Sequence, residues 1–149
     1  MTESETLEIL HFLNANPMGV ISTIHKDTGT PESALIAFAE TPIFELIFQT
    51  LNTSRKYLNL KQNPHISFVT GWEIDKPHQI TFQYEGRARE ILVEDDTYRN
   101  YRNTFEQKKT PCKSEFLDNP NSRIFVISPS WLGYSDYRSA SPRIIDHTF

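Results

Sequence analysis

Apolar and polar residues alternate in three short runs near the start of the chain, and almost nothing but turn residues separates them. Met18 to His25 carries Met18, Val20 and Ile24 on one face, and Lys26-Asp27-Thr28-Gly29-Thr30-Pro31 then supplies turn chemistry before Ser33 to Ala39 returns. Glu40-Thr41-Pro42 turns the chain again, after which Phe44, Leu46 and Phe48 alternate with Glu45, Ile47 and Gln49. A period of two sends successive side chains to opposite faces of a strand. Links this short join antiparallel neighbours, because a parallel pair needs a crossover of roughly a dozen residues. These runs therefore predict an antiparallel meander.

The remaining punctuation fits the same architecture. Thr2 and Glu5 have capping-box spacing, and Leu7, Ile9, Leu10 and Leu13 recur at helical intervals until Asn14 to Pro17 ends the pattern. Thr53 or Ser54 can cap a helix from Arg55 to about Gln62, closed by Asn63-Pro64. A fourth strand follows from His65 to Trp72, with Ile66, Phe68 and Trp72 on one side. After the Asp75-Lys76-Pro77 turn, a fifth runs from about Gln79 to Ile91, with Gly86 marking a bulge. Asp95 and Asp96 open a further helix whose Tyr98, Tyr101 and Phe105 follow a 3,4 spacing. Ser114 to Leu117 is too short to assign, Arg123 to Ser128 and Leu132 to Tyr137 read as two final strands divided by Pro129, and the tail past Pro142 carries no pattern. Seven strands, with helices that do not alternate with them, predict a mainly β fold: a closed antiparallel barrel with peripheral helices. Its 149 residues form one domain.

Composition narrows the function. A formal charge of -4 argues against nucleic acid, whose binding depends on Lys and Arg neutralising phosphates. No apolar run approaches the roughly 18 residues of a membrane span. The start MTESETLEIL lacks the basic-then-apolar pattern of a secretion signal, and Cys112 is the sole cysteine, so a cytoplasmic protein is expected. The five glycines lie at least ten positions apart, which excludes both the GxGxxG and the Walker-type phosphate loops. His11, His25, His65, His78 and His147 never pair at i, i+3 or i+4, so no local metal motif exists, and Cys112 has no identifiable His partner.

The stretch FQTLNTSRKYLNL, Phe48 to Leu60, is the most informative. A strand ends there in hydroxyls, and two adjacent cations occupy the first turn of a helix. Positive charge at that end opposes the helix macrodipole unless an anion sits there too. Free backbone N–H groups, the hydroxyls of Thr50, Thr53 and Ser54, the Arg55 guanidinium and the Lys56 ammonium together could cradle a phosphate without any glycine. The plainer reading is that Ser54 is an ordinary N-cap and both cations are solvated; spacing alone leaves both open.

In this stretch the chain resembles the FMN-binding split-barrel proteins related to pyridoxamine 5'-phosphate oxidase. The resemblance rests on Thr50 at a strand end, the Ser54-Arg55-Lys56 step, the short helix to Leu60, the Asn63-Pro64 break, and the strand from His65 towards Trp72. Gln79 and Gly86 match a later Gln and strand glycine, at longer spacing. It implies a split β-barrel homodimer with FMN in the cleft between subunits. Arg55 and Lys56 would bind the FMN phosphate, joined by Thr50, Ser54, Gln49 and the segment Ser33, Ala34, Leu35 and Ile36. Trp72, Gln79 and Tyr134 would face flavin held mostly by the partner.

Two departures qualify the expected chemistry. The oxidases bracket their second strand with an Arg and a Lys, which PESALIAFAE, Pro31 to Glu40, lacks, and the C-terminal segment SPSWLGYSDYRSASPRIIDHTF differs from their substrate-binding end. The implied function is FMN-dependent oxidoreduction on a small-molecule substrate other than pyridoxamine phosphate. A non-catalytic flavin-binding, storage or sensing module is the alternative, and a haem or deazaflavin on the same barrel is a third. Trp72 and Trp131 read more simply as core or dimer-interface anchors than as ring-stacking residues.

Overall fold

In the computed structural model, residues 1–71, 79–110 and 114–149 are described. Trp72, the Asp75-Lys76-Pro77 turn, His78 and Cys112 lie outside them. The described residues form α1 (Glu3–Ala15), β1 (Met18–Ile24), β2 (Pro31–Glu40), β3 (Leu46–Leu51), α2 (Arg55–Gln62), β4 (His65–Gly71), β5 (Ile80–Ile91), α3 (Tyr98–Gln107), α4 (Ser114–Leu117), β6 (Ser122–Asp136) and β7 (Arg143–Thr148).

The strands lie in the order β3-β2-β1-β4-β5-β6-β7, each pair antiparallel, and β3 also pairs with β6. That last pairing closes six strands into a barrel and leaves β7 as an extension beyond β6. The mainly β, antiparallel barrel expected from the alternation is what forms. Its interior is aromatic: Phe38, Phe48, Phe68, Phe82, Tyr84, Phe125 and Tyr134 are all almost fully buried. Phe38 and Phe68 meet edge to face at 4.9 Å, and Phe48 stacks on Phe125 at 5.5 Å. Such pairs add to the burial of large apolar area.

The capping box of α1 forms in full, with Thr2 Oγ1 accepting from the Glu5 N–H at 3.2 Å and Glu5 Oε2 accepting from the Thr2 N–H at 2.7 Å. Ile9 and Leu13 are fully buried in the barrel core, whereas Leu7 faces solvent. A second, smaller core lies outside the barrel, where Phe105 of α3 and Leu117 of α4 cover Ala39, Ile47, Ile124 and Val126. Helices therefore cover the outer face of β3, of β6 and of the later part of β2, while Leu35 of β2 and Val69 of β4, at 66% and 42%, stay exposed on the outer face.

Several details differ from the sequence reading. Pro129 does not divide two strands, because β6 runs unbroken from Ser122 to Asp136 and absorbs Pro129 at a bulge. The register shifts between Glu85 and Gly86, and the extra residue, Ser130, lies in β6 opposite them. The unpatterned tail forms β7 on the open edge of β6, so the strands number seven but with different members. Asp95 and Asp96 precede α3 rather than open it: Asp95 Oδ2 accepts from the Leu92 N–H at 3.0 Å, and Thr97 is the N-cap residue. Met18, Val20 and Ile24 do share a face, but it is the outer one; Ile21 and Thr23 point inward.

Candidate functional site

Helix α2 begins where β3 leaves the barrel, so the hydroxyls at the strand's end and the helix's first turn share one rim. Ser54 is the N-cap residue, with Oγ accepting from the Tyr57 N–H at 3.2 Å. Its hydroxyl lies 2.8 Å from that of buried Thr50, whose Oγ1 is 3.4 Å from Lys56 Nζ. Burial pulls the Lys56 ammonium below the ordinary lysine value. Among the described residues no carboxylate pairs with it. A partly dehydrated cation beside two hydroxyls and the positive end of a helix favours an anion.

Arg55 is placed differently. Its side chain is 77% exposed and its guanidinium pairs with the carboxylate of Glu32, near the start of β2. The other oxygen of that carboxylate, Oε2, accepts from Asn59 Nδ2 at 2.8 Å. Asn59 is buried on α2, and the same Nδ2 donates to Thr23 Oγ1 at 3.0 Å while Oδ1 accepts from the Lys26 N–H at 3.0 Å. The Lys26 amide fixes which way the Asn59 amide points, so its two hydrogens are directed at Thr23 and Glu32. Thr23, Glu32, Ser33, Ala34, Arg55 and Lys56 enclose a pocket of about 170 Å³.

A second pocket, of about 290 Å³, lies on the open outer face between Val20, Ser22, Ser67, Val69, Gln83, Glu85 and Trp131. Ser22 of this pocket and Ser33 of the first approach to 2.8 Å, Oγ to Oγ, across the β1–β2 pairing. A charged rim and a surface with apolar and amide groups thus lie on the same β1–β2 hairpin.

Of the residues proposed from sequence, Ser33, Ala34, Thr50, Ser54, Arg55 and Lys56 cluster at this rim. Leu35 stands exposed on the outer face and Ile36 is buried in the core. Gln49 is turned away, donating from Nε2 to Phe116 O at 2.9 Å and Ser122 Oγ at 2.7 Å. Gln79 precedes β5, where its carbonyl accepts from the Tyr137 N–H at 2.9 Å. Tyr134 is buried, its ring edge-on to Phe12 at 5.6 Å and its hydroxyl 3.4 Å from Glu8 Oε1. Within one chain neither Gln79 nor Tyr134 lines either pocket. Trp72 lies outside the described residues.

Two contributors, Glu32 and Asn59, escaped the sequence reading, and a third, Trp131, was read there as a core or interface anchor. Asn is a poor helix former, so an Asn inside a two-turn helix was a signal that its amide has a buried task. Glu32 lies 23 positions before Arg55, and no local spacing connects them. The Trp131 indole is fixed by its Nε1–H, which donates to Asp146 Oδ1 at 2.9 Å. Among the described residues no group of three or more His, Cys, Asp or Glu could hold a metal, and no helix is long and apolar enough to cross a membrane.

Comparison with known proteins places this geometry in context. No curated protein sequence matches the chain. Among solved structures, a heme binding protein from Mycobacterium smegmatis superposes with a TM-score of 0.79 at 14% identity, over 99% of this chain and 60% of that one. The heme storage protein HutZ from Vibrio cholerae gives 0.67 at 13% identity, over 85% and 89%. The General Stress Protein 26 from Bacillus anthracis gives 0.67 at 19% identity, over 96% and 98%. At these identities the likeness is one of fold. Residues 6–136 match the sequence profile of pyridoxamine 5'-phosphate oxidase, most of the barrel and the whole α2 rim included. The chain belongs to the pyridoxamine 5'-phosphate oxidase family.

Proposed function

We propose that this chain is one subunit of a cytoplasmic, FMN-binding homodimer that catalyses FMN-dependent oxidoreduction of a small molecule other than pyridoxamine phosphate. The observation that carries the reading is the convergence of Lys56, Thr50, Ser54 and the start of α2 on one rim. The donor set suits a phosphate: an ammonium, two hydroxyls and helix N–H groups, with the exposed Arg55 guanidinium beside them. Ser22, Ser33, Val20, Val69 and Gln83 offer a ring-sized surface beside it. FMN, when bound, supplies the hydride chemistry; the chain's own residues anchor, orient and exclude water. The exposed Leu35 and Val69 on the same face supply the apolar area for a second subunit, which would complete the cleft.

The test is the absorption spectrum of the purified protein, followed by anaerobic mixing with NADH or NADPH. Flavin bands that bleach with either donor support an oxidoreductase. Flavin bands that persist with both donors favour a storage or sensing module. A second reading, haem binding, draws on the two heme proteins of similar fold; a Soret band without flavin release on denaturation would replace FMN by haem. A colourless protein that takes up neither cofactor on titration rules out both.

A further inference from the structure

Where an unopposed phosphate site would carry only cations, this rim carries a built-in carboxylate. Glu32 is 20% exposed, its Oε2 is held by a buried asparagine that is itself oriented by a backbone amide, and its other oxygen takes the Arg55 guanidinium. Lys56 is left to the hydroxyl side of the rim, at Thr50. The arrangement is asymmetric: Asn59 fixes the carboxylate, whereas the Arg55 side chain is 77% exposed and free to leave it. With its guanidinium in solvent the pair is partly screened, so an incoming anion can draw Arg55 away. It does so only by leaving Glu32 beside a second negative charge.

We propose that Glu32 is a specificity-determining residue of the phosphate end, a resident counter-ion that Arg55 must abandon before it can grip a phosphate. The inference rests on the FMN reading above and specifies how that site chooses its ligand. A site with Arg55 and Lys56 opposed by Glu32 carries one net positive charge instead of two. It therefore separates a phosphorylated flavin from its phosphate-free form less sharply than an unopposed Arg-Lys step would. Glu32→Gln retains an oxygen for Asn59 to donate to and frees the guanidinium.

The experiment is a fluorescence-quenching titration with FMN and with riboflavin of the wild-type protein, Glu32→Gln, Glu32→Ala, Arg55→Ala and the Glu32→Gln/Arg55→Ala double variant. FMN affinity rises about fivefold in both Glu32 variants, riboflavin affinity stays within about twofold, and Arg55→Ala costs more in the Glu32→Gln background than in wild type. An unchanged FMN-to-riboflavin ratio in Glu32 variants that bind flavin overturns this proposal and leaves the FMN reading standing. So does an Arg55→Ala effect that is equal in both backgrounds. Failure of wild type and all variants to bind either flavin overturns both. Circular dichroism confirms that each variant is folded, and Glu32→Ala supplies the comparison if Glu32→Gln does not fold.

Discussion

The Lys108 ammonium lies 3.9 Å from the centre of the Phe38 ring, with both groups buried against the C-terminal end of α1. It also pairs with buried Glu40 and donates to the carbonyls of Leu13 at 2.8 Å and Asn16 at 3.2 Å. A cation at a helix C-terminus complements the dipole, and α1 has no basic residue of its own there. One side chain thus joins the end of α3 to α1 and β2.

Lys108→Met is expected to destabilise the fold by about 3 kcal/mol, because it leaves the Glu40 carboxylate buried without its partner. Urea unfolding measures this. Lys108→Met combined with Glu40→Gln recovers part of the loss; a double variant as unstable as the sum of the single ones contradicts the pairing.

Lys56→Ala is expected to weaken FMN binding more than Arg55→Ala, by about tenfold or more against about threefold. Lys56 faces the hydroxyls, with no carboxylate among the described residues to neutralise it, whereas Arg55 is held by Glu32. Flavin titration of the two variants decides the order.

Gly133 holds Trp131 flat against the sheet. A Cβ at position 133 would lie 2.7 Å from the indole ring. Gly133→Val is expected to lift the indole and break its bond to Asp146, at a cost of about 1 kcal/mol. In a Trp72→Phe background, a red-shifted Trp131 emission reports it, and unchanged emission would falsify the contact.

Acid should loosen the end of β6. Hydrogen bonds from Arg138 hold the Asp136 carboxyl below the ordinary aspartate value. With the native pKa depressed, the unfolded chain binds more protons in that window. The contribution is present above the ordinary value and is lost as pH falls through the native one. Arg138→Met is expected to raise the Asp136 pKa, read by NMR carboxyl titration, and to flatten the acid limb of the stability profile. An unmoved Asp136 titration contradicts it.

The strands were legible wherever alternation was clean, as in β2 and in β5, whose buried Phe82, Tyr84 and Ala88 occupy alternate positions. β7 was not, because Arg143–Thr148 buries only Ile145 and takes its order from the edge of β6. Pro129 misled because a proline ends a strand in sequence logic, whereas a bulge supplies a place for it. The cations of the rim were legible from Ser54-Arg55-Lys56, since helix capping is local. Glu32 was not, since only the β1–β2 hairpin and α2 packing bring it to Arg55. Gln79 and Tyr134, read as facing flavin held mostly by a partner subunit, have no short-range pattern that could test that reading.

The double pairing of β6 bears on how the chain acquires its shape. Residues 122–127 pair with β3, and residues 124–136 pair with β5. The β3–β6 seam joins Leu46 to Ile127 and Leu51 to Ser122, so contacts of long sequence separation must form before the barrel exists. High contact order slows folding. During synthesis the first five strands must wait as an open sheet with two unprotected edges, and closure comes only when the chain has emerged beyond Ile127. Chains truncated within that interval are therefore expected to aggregate, before the final seam is sewn.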